Sequence, residues 1–420
     1  MKRFTASLLL LLSLSVSVTA CLWDRDTFDQ ERRRFPSILE LITGHFLRHS
    51  PEFYRWRIDD REAQLKESPE TLTLYDDLAV AHEKLGRHQV AIDLMRKKDQ
   101  IQSGLYETHA NLGTFYIHDG QFEQGLIEIK KAISINPDAH FGREIYQARL
   151  VEYLLTRVNR DPVTAAALEL PLDNSNTSNM QPRGFAAYLI DLIRNDAADL
   201  TQDAGDSGNT PAESENADAI SRREELMQEE LANALKGVSG MMRFGNFDSP
   251  VLLEALGDLL LAQGVLTDGK QLAARAYLKA SYETDGATSA NYRNIAERAL
   301  HLQVTSGKGN QQLSLAVLEK QFQAELNQAD TWYQGVSQSE KAWIQAGVNP
   351  EREFEKAYPV DPEIPISSTS TSGSSASDTL IPTGSPETLW KFALFLLCPL
   401  AILWTWKRSQ CCKQAIDSKS

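Results

Sequence analysis

His45 and His49 stand four residues apart in a stretch that reads as a helix, so one helical face carries both imidazoles toward a single metal ion. No third ligand follows at a diagnostic spacing, and the pair reads as two polar residues in an aromatic-rich zone. Asp203-Ala204-Gly205-Asp206-Ser207-Gly208-Asn209 has the composition of a calcium loop but lacks its Asp spacing and its closing bidentate Glu. Gly307-Lys308-Gly309 lacks the preceding glycine spacing of a phosphate-binding loop. Five acids, Glu254, Asp258, Glu283, Asp285 and Glu297, are the set from which a hydrolase would draw a carboxylate pair or metal ligands, and their spacing is not distinctive. No Walker loop, GxSxG elbow or HExxH helix occurs in the chain. The expectation is a non-enzyme without a cofactor or metal. The alternative is an envelope-polymer hydrolase using those five acids, or a hydrophobic-solute binder.

Charge and cysteine usage narrow the partners. With 57 acidic against 43 basic residues the chain carries a formal charge of -14, which argues against general nucleic-acid binding. Glu31-Arg32-Arg33-Arg34 is a short charge run that reads as a solvated face or a lipid head-group contact. The four cysteines are Cys21, Cys398, Cys411 and Cys412. The long body between Cys21 and Cys398 therefore has no internal disulfide, thiol nucleophile or thiolate metal site.

Both ends read as membrane-directed. Lys2 and Arg3 precede an apolar run, and Val18-Thr19-Ala20 supplies small residues for cleavage before Cys21. This makes 1–20 a signal peptide. Val18-Thr19-Ala20-Cys21 also resembles a bacterial lipobox, which implies lipidation at Cys21. At the other end, 389–406 is apolar, with Trp390, Trp404 and Trp406 at its ends. Eighteen helical residues span roughly 27 Å, enough for a bilayer core. Lys407 and Arg408 follow, which places the tail 407–420 in the cytoplasm and the body outside it. The Ser/Thr-rich stretch 360–388 reads as a stalk.

The elements between these ends follow a period. The segments 72–105 and 106–139 align at an offset of 34 residues: Leu78 with Leu112, Gly86 with Gly120, Ala91 with Gly125, Met95 with Ile129. In the second unit Leu112, Gly113, Tyr116, Gly120, Gly125, Ile129, Ala132 and Pro137 occupy signature positions. Small residues at Gly113 and Gly125 let two helices approach, and Gly120 ends the first of them. The first unit keeps Ala79, Ala91 and Met95, while His82 and Lys98 depart from the pattern.

On these residues the chain resembles the tetratricopeptide repeat family. The resemblance implies an all-α fold of helical hairpins stacked around a concave groove that holds another protein or peptide. Carrying the family's register over, the groove positions are Asp76, Val80, Glu83 and Lys84 from the first unit and Ala110, Asn111, Thr114, Ile117 and His118 from the second. Asp76 and Val80 stand where a carboxylate-clamping repeat has Lys and Asn, and only Asn111 fits that clamp. Asp76 and Glu83 imply basic or polar peptide segments instead.

The remaining body divides by composition. The stretch 21–71 reads as an N-terminal helical cap with helices over 37–49 and 52–66, and 72–160 is the repeat block. A linker with one helix at 185–200 and an acidic disordered stretch at 201–218 covers 161–219. The segment 220–359 reads as a second repeat-like block, in which Leu256-Gly257, Leu260 and Gly264 mimic a first helix and Ala273, Tyr277 and Ala280 a second. The expected whole is an exported, single-pass, all-helical scaffold of the bacterial envelope, with two repeat blocks and one C-terminal transmembrane helix. Its partners are other envelope proteins or peptides, and not nucleic acid.

Overall fold

Serine and asparagine caps, each set before a proline or a short apolar stripe, start four of the helices outside the repeats. In the computed structural model, Ser37 caps α1 (Ile38–Thr43) in a reciprocal arrangement with Glu40. Ser50 caps α2 (Pro51–Glu67), with Pro51 in the first turn. The structure describes residue 24 and residues 34–137, 143–159, 167–173, 182–202, 213–263, 267–302 and 313–359. The helix expected over 37–49 stops at Thr43. Gly44 takes the left-handed conformation (φ 74°) there and closes the helix end, and a Cβ at this position would sit 2.6 Å from Phe247.

The next four helices repeat at the offset read from the sequence. α3 (Leu72–Lys84) recurs as α5 (Tyr106–His118), and α4 (His88–Ile101) as α6 (Phe122–Ile135), every boundary displaced by 34 residues. None of the four has a side-chain N-cap bond. Packing rather than capping holds them. A Cβ on Gly113 would lie 2.5 Å from Ile129, and one on Gly125 would lie 2.5 Å from Ile117, so α5 and α6 meet at near backbone distance. Gly86 and Gly120 take φ 71° and 77° in the two equivalent turns, a conformation that costs side chains energy and glycine none. Tyr75, Ala79, Ala91, Ile92, Met95, Leu112, Phe115 and Tyr116 form one buried cluster across the stack.

Beyond the stack come α7 (Arg143–Arg157), α8 (Gly184–Gln202), α9 (Glu213–Phe244), α10 (Pro250–Ala262), α11 (Thr267–Tyr282), α12 (Gly286–His301), α13 (Leu315–Gln345) and α14 (Pro350–Ala357). The described part is all-helical apart from one two-residue antiparallel ladder, β1 (Val158–Asn159) with β2 (Ala167–Leu168). α9 begins at Glu213, inside the stretch read as acidic disorder, and runs to Phe244. Successive helices from α2 to α7 pack in chain order, α9 packs on α7 and α10, and α13 returns to α2. A large core with residues from α1 and from α7 through α13 lies under this second half. The two helical blocks belong to one compact unit, Met1–Ile366. Among the described residues no helix is long and apolar enough to cross a membrane; the segment 389–406 lies outside the described residues, as do the stretches read as signal peptide (1–20), stalk (360–388) and tail (407–420).

Candidate functional site

The nine positions assigned to a groove lie along α3 and α5, and most of them are buried. Asp76, Val80, Glu83, Ala110, Asn111 and Thr114 are enclosed, while Lys84 and Ile117 are half-buried and His118 is exposed. Each charged member has a partner from the same chain. Lys98 Nζ donates to both oxygens of Asp76 at 2.6 and 2.7 Å, and Asn111 Nδ2 donates to Asp76 Oδ1 at 3.3 Å. Burial nevertheless pushes the Asp76 carboxyl up to about 7 against the pull of Lys98. Glu83 Oε1 is 2.6 Å from His118 Nδ1, and Glu83 Oε2 is 2.9 Å from His88 Nδ1. Lys84 Nζ donates to the carbonyls of Phe244 and Gly245 at 2.6 and 2.8 Å, and burial lowers it to about 8. Thr114 Oγ1 accepts from Gln147 Nε2 on α7 at 3.1 Å. This inner wall therefore holds the end of α9 and the face of α7.

A second inner wall is built on α10. The offset of 144 that aligns Leu112-Gly113 with Leu256-Gly257 also aligns Ala110 with Glu254 and Thr114 with Asp258. Both acids are sealed, at 0% and 1% exposure. Glu254 accepts from the backbone N–H of Leu172 (2.9 Å) and Asp173 (3.0 Å) and from the Tyr292 hydroxyl (2.8 Å). Asp258 accepts from the Phe185 N–H (3.2 Å) and the Tyr277 hydroxyl (2.7 Å). The Arg183 guanidinium lies 3.6 Å from Glu254, 3.4 Å from Asp258 and 3.7 Å from Asp173. Burial raises the Glu254 and Asp258 carboxyls, opposed by Arg183. Burial likewise raises the Tyr277 and Tyr292 hydroxyls, with Asp258 and Glu254 adding to it. The Tyr153 hydroxyl is buried and has no hydrogen-bond partner among the described residues. Chemically, this wall accepts the backbone N–H groups of Leu172, Asp173 and Phe185 and faces the Arg183 guanidinium as its counter-charge.

The other candidates do not converge. Glu283 binds Lys279, Asp285 precedes α12 without a side-chain cap bond, and Glu297 is 3.9 Å from His301 at the surface. Of the five acids only Glu254 and Asp258 come together. His45 packs edge-on against Trp332, while His49 Nδ1 sits 2.5 Å from Glu340 and its ring stacks on Phe53, so the two imidazoles serve different contacts. Among the described residues no group of three or more His, Cys, Asp or Glu is arranged to hold a metal ion. Cys21, the Asp203 loop and Gly307-Lys308-Gly309 lie outside the described residues.

Sequence reading missed the cations that organise these sites. Arg183 follows a Pro in a segment read as linker, and Lys98 was noticed only as a departure from the repeat. Arg57 and Arg61 on α2 were not singled out. Arg57 is fully buried, with Nη1 donating to Asp24 (3.1 Å) and Nε to Glu351 (3.0 Å). Arg61 Nε donates to Asp77 (2.8 Å), and Arg61 also pairs with Glu351. The available signal was that Arg57 and Arg61 are spaced i, i+4 around the apolar Ile58.

No protein-family model matches this chain, and no curated protein matches it.

Proposed function

We propose that this chain is a membrane-anchored scaffold of tetratricopeptide-like hairpins in the bacterial cell envelope, which mediates protein–protein interactions. The observation that carries the reading is the second inner wall. There Glu254 and Asp258 accept the backbone N–H groups of Leu172 and Asp173 and of Phe185 in the first turn of α8, all from the same chain. A hairpin stack whose inner carboxylates accept free backbone N–H groups in this way has the chemistry needed to bind a peptide. The exported, single-pass topology rests on the leader before Cys21 and on the apolar segment 389–406. The inner walls are filled by the chain's own elements, so a partner meets the hairpins at their exposed edges or displaces those elements. Site-specific photo-crosslinkers placed in the full-length protein at His118, at Ile127 and on the outer face of α13 test this in intact cells. A scaffold gives a discrete crosslinked protein from one of these faces and not from the others. Diffuse or absent adducts at all three would sink the proposal.

A further inference from the structure

Two acids on α10 seat two short stretches of chain. Glu254 and Asp258 stand one turn apart on that helix and are sealed from solvent. Leu172 and Asp173 give their backbone N–H groups to Glu254, and Phe185 gives its own to Asp258. The two stretches are also tied to each other. Gly184 N–H donates to Asp173 Oδ2 at 2.9 Å, and Arg183 Nη2 donates to the Asp173 carbonyl. Gly184 is left-handed (φ 54°), and a Cβ there would collide with the Asp258 carboxyl, so the chain meets α10 at backbone distance.

The charges at this seat do not cancel if every acid is ionised. Asp173 interacts with Arg298 of α12 as well as with Arg183. Glu254 and Asp258 then have the Arg183 guanidinium between them. The other groups that face the two acids are hydroxyls: Tyr277 of α11, Tyr292 of α12 and Tyr153 of α7. Arg157 lies over the Tyr153 ring, 5.1 Å from its centre. Two sealed carboxylates on one guanidinium leave a buried charge uncompensated, which is costly. A retained proton removes it. Glu254 accepts from two N–H groups and one hydroxyl, which favours its carboxylate form. Asp258 accepts from one hydroxyl and from one N–H at 3.2 Å, and is the better carrier of the proton. Burial pushes both carboxyls up, in the same sense.

We propose that this wall is a proton-operated seat: one proton held by the Glu254–Asp258 pair keeps 172–173 and 183–185 docked on α10, and its release to solvent lets them lift off. Lifting opens the two carboxyls to water, where both ionise. The seated form thus binds one proton more than the lifted form, and seating weakens as pH rises. What the opening uncovers is an acidic inner wall. The seat is a property of the fold and holds whether or not the hairpins dock a partner.

Amide hydrogen exchange on the full-length protein tests it. After correction for the intrinsic exchange rate, the opening constant at Leu172, Asp173 and Phe185 is expected to rise about tenfold per pH unit above the ordinary carboxylate range and then to level off. It is also expected to exceed the opening constant at Phe322, buried in α13, which marks the event as local. Asp258→Asn removes one acid and is expected to flatten the profile. Glu254→Gln leaves Asp258 alone with Arg183, is expected to flatten it too, and carries the test if the first variant does not fold. A flat wild-type profile, a slope that survives in either folded variant, or opening no greater than at Phe322 overturns the seat.

Discussion

Burying a carboxylate beside an ammonium strips both of hydration, and the pair survives only where geometry returns the loss. Asp76 and Lys98 are each 2% exposed and meet through two short hydrogen bonds. One repeat further on, the equivalent positions are Ala110 and Ala132, which share a small apolar cluster with Tyr106. The same slot is filled by an ion pair in one hairpin and by two methyl groups in the next. Lys98→Ala strands a buried carboxylate and is expected to cost about 3–5 kcal/mol in urea unfolding. Asp76→Ala/Lys98→Ala is expected to recover about 1–3 kcal/mol of that, the coupling typical of contacting residues. A double variant as unstable as the sum of the singles would show that the two groups do not support each other.

Titration at the same scale has a definite sign. Asp76 holds its proton to about 7 in the folded chain, against an ordinary value of 3.8. The folded state therefore keeps a proton that the unfolded state releases. Its contribution is fully present below the ordinary value and is lost as pH rises through about 7. Glu254 and Asp258, also raised, act in the same direction. His45 and His82 are lowered by burial and oppose this only below 6.5, where the unfolded chain takes up protons. Lys84, lowered to about 8, restores stability above that value, because the unfolded chain still binds the proton there. The urea midpoint is thus expected to fall from about pH 6.5 to about pH 8 and then to rise. A midpoint that climbs through that first window would contradict the burial of these acids.

Elements are fixed by how closely they can approach. In α10 a Cβ on Gly257 would lie 2.5 Å from the Tyr277 ring of α11. Even one methyl group there forces the ring, and with it the Tyr277–Asp258 hydrogen bond, to shift. Gly257→Ala is expected to cost about 1–3 kcal/mol. Gly335, in the middle of α13, has nothing within 4 Å of such a Cβ. Gly335→Ala is expected to add about 0.5–1 kcal/mol through helix propensity alone. Thermal melts of the two variants side by side check the contrast, and matching shifts would mean that α10 and α11 are not in close contact.

At the scale of the whole molecule, the stack and the second half are joined at both of the stack's ends. α7 and α9 carry the chain out of α6, and α13 and α14 bring it back to α2. The return depends on a short helix whose single buried aromatic is Phe354. Phe354→Ala removes the ring beside His49 and loosens the helix that presents Glu351 to Arg57 and Arg61. It is expected to cost about 3 kcal/mol or more. It should also raise hydrogen exchange in α2, far from it in sequence. Protection in α2 unchanged by this variant would mean that α14 is a passenger.

The period of 34, the glycines at 86, 113, 120 and 125, and the apolar faces of α3 to α6 were legible in the chain because each is a local constraint repeated at a fixed distance. Helicity through the second half was legible for the same reason, though α1 ended early at Gly44, whose conformation depends on its turn and whose space is set by Phe247. What fills the inner walls was not legible. Asp76 with Lys98, Glu254 with the 172–185 segment, and Arg57 with Asp24 and Glu351 join residues from 22 to 294 positions apart. No periodicity encodes such pairs. A buried charge finds its counter-charge by proximity in space, and only the folded chain sets that proximity.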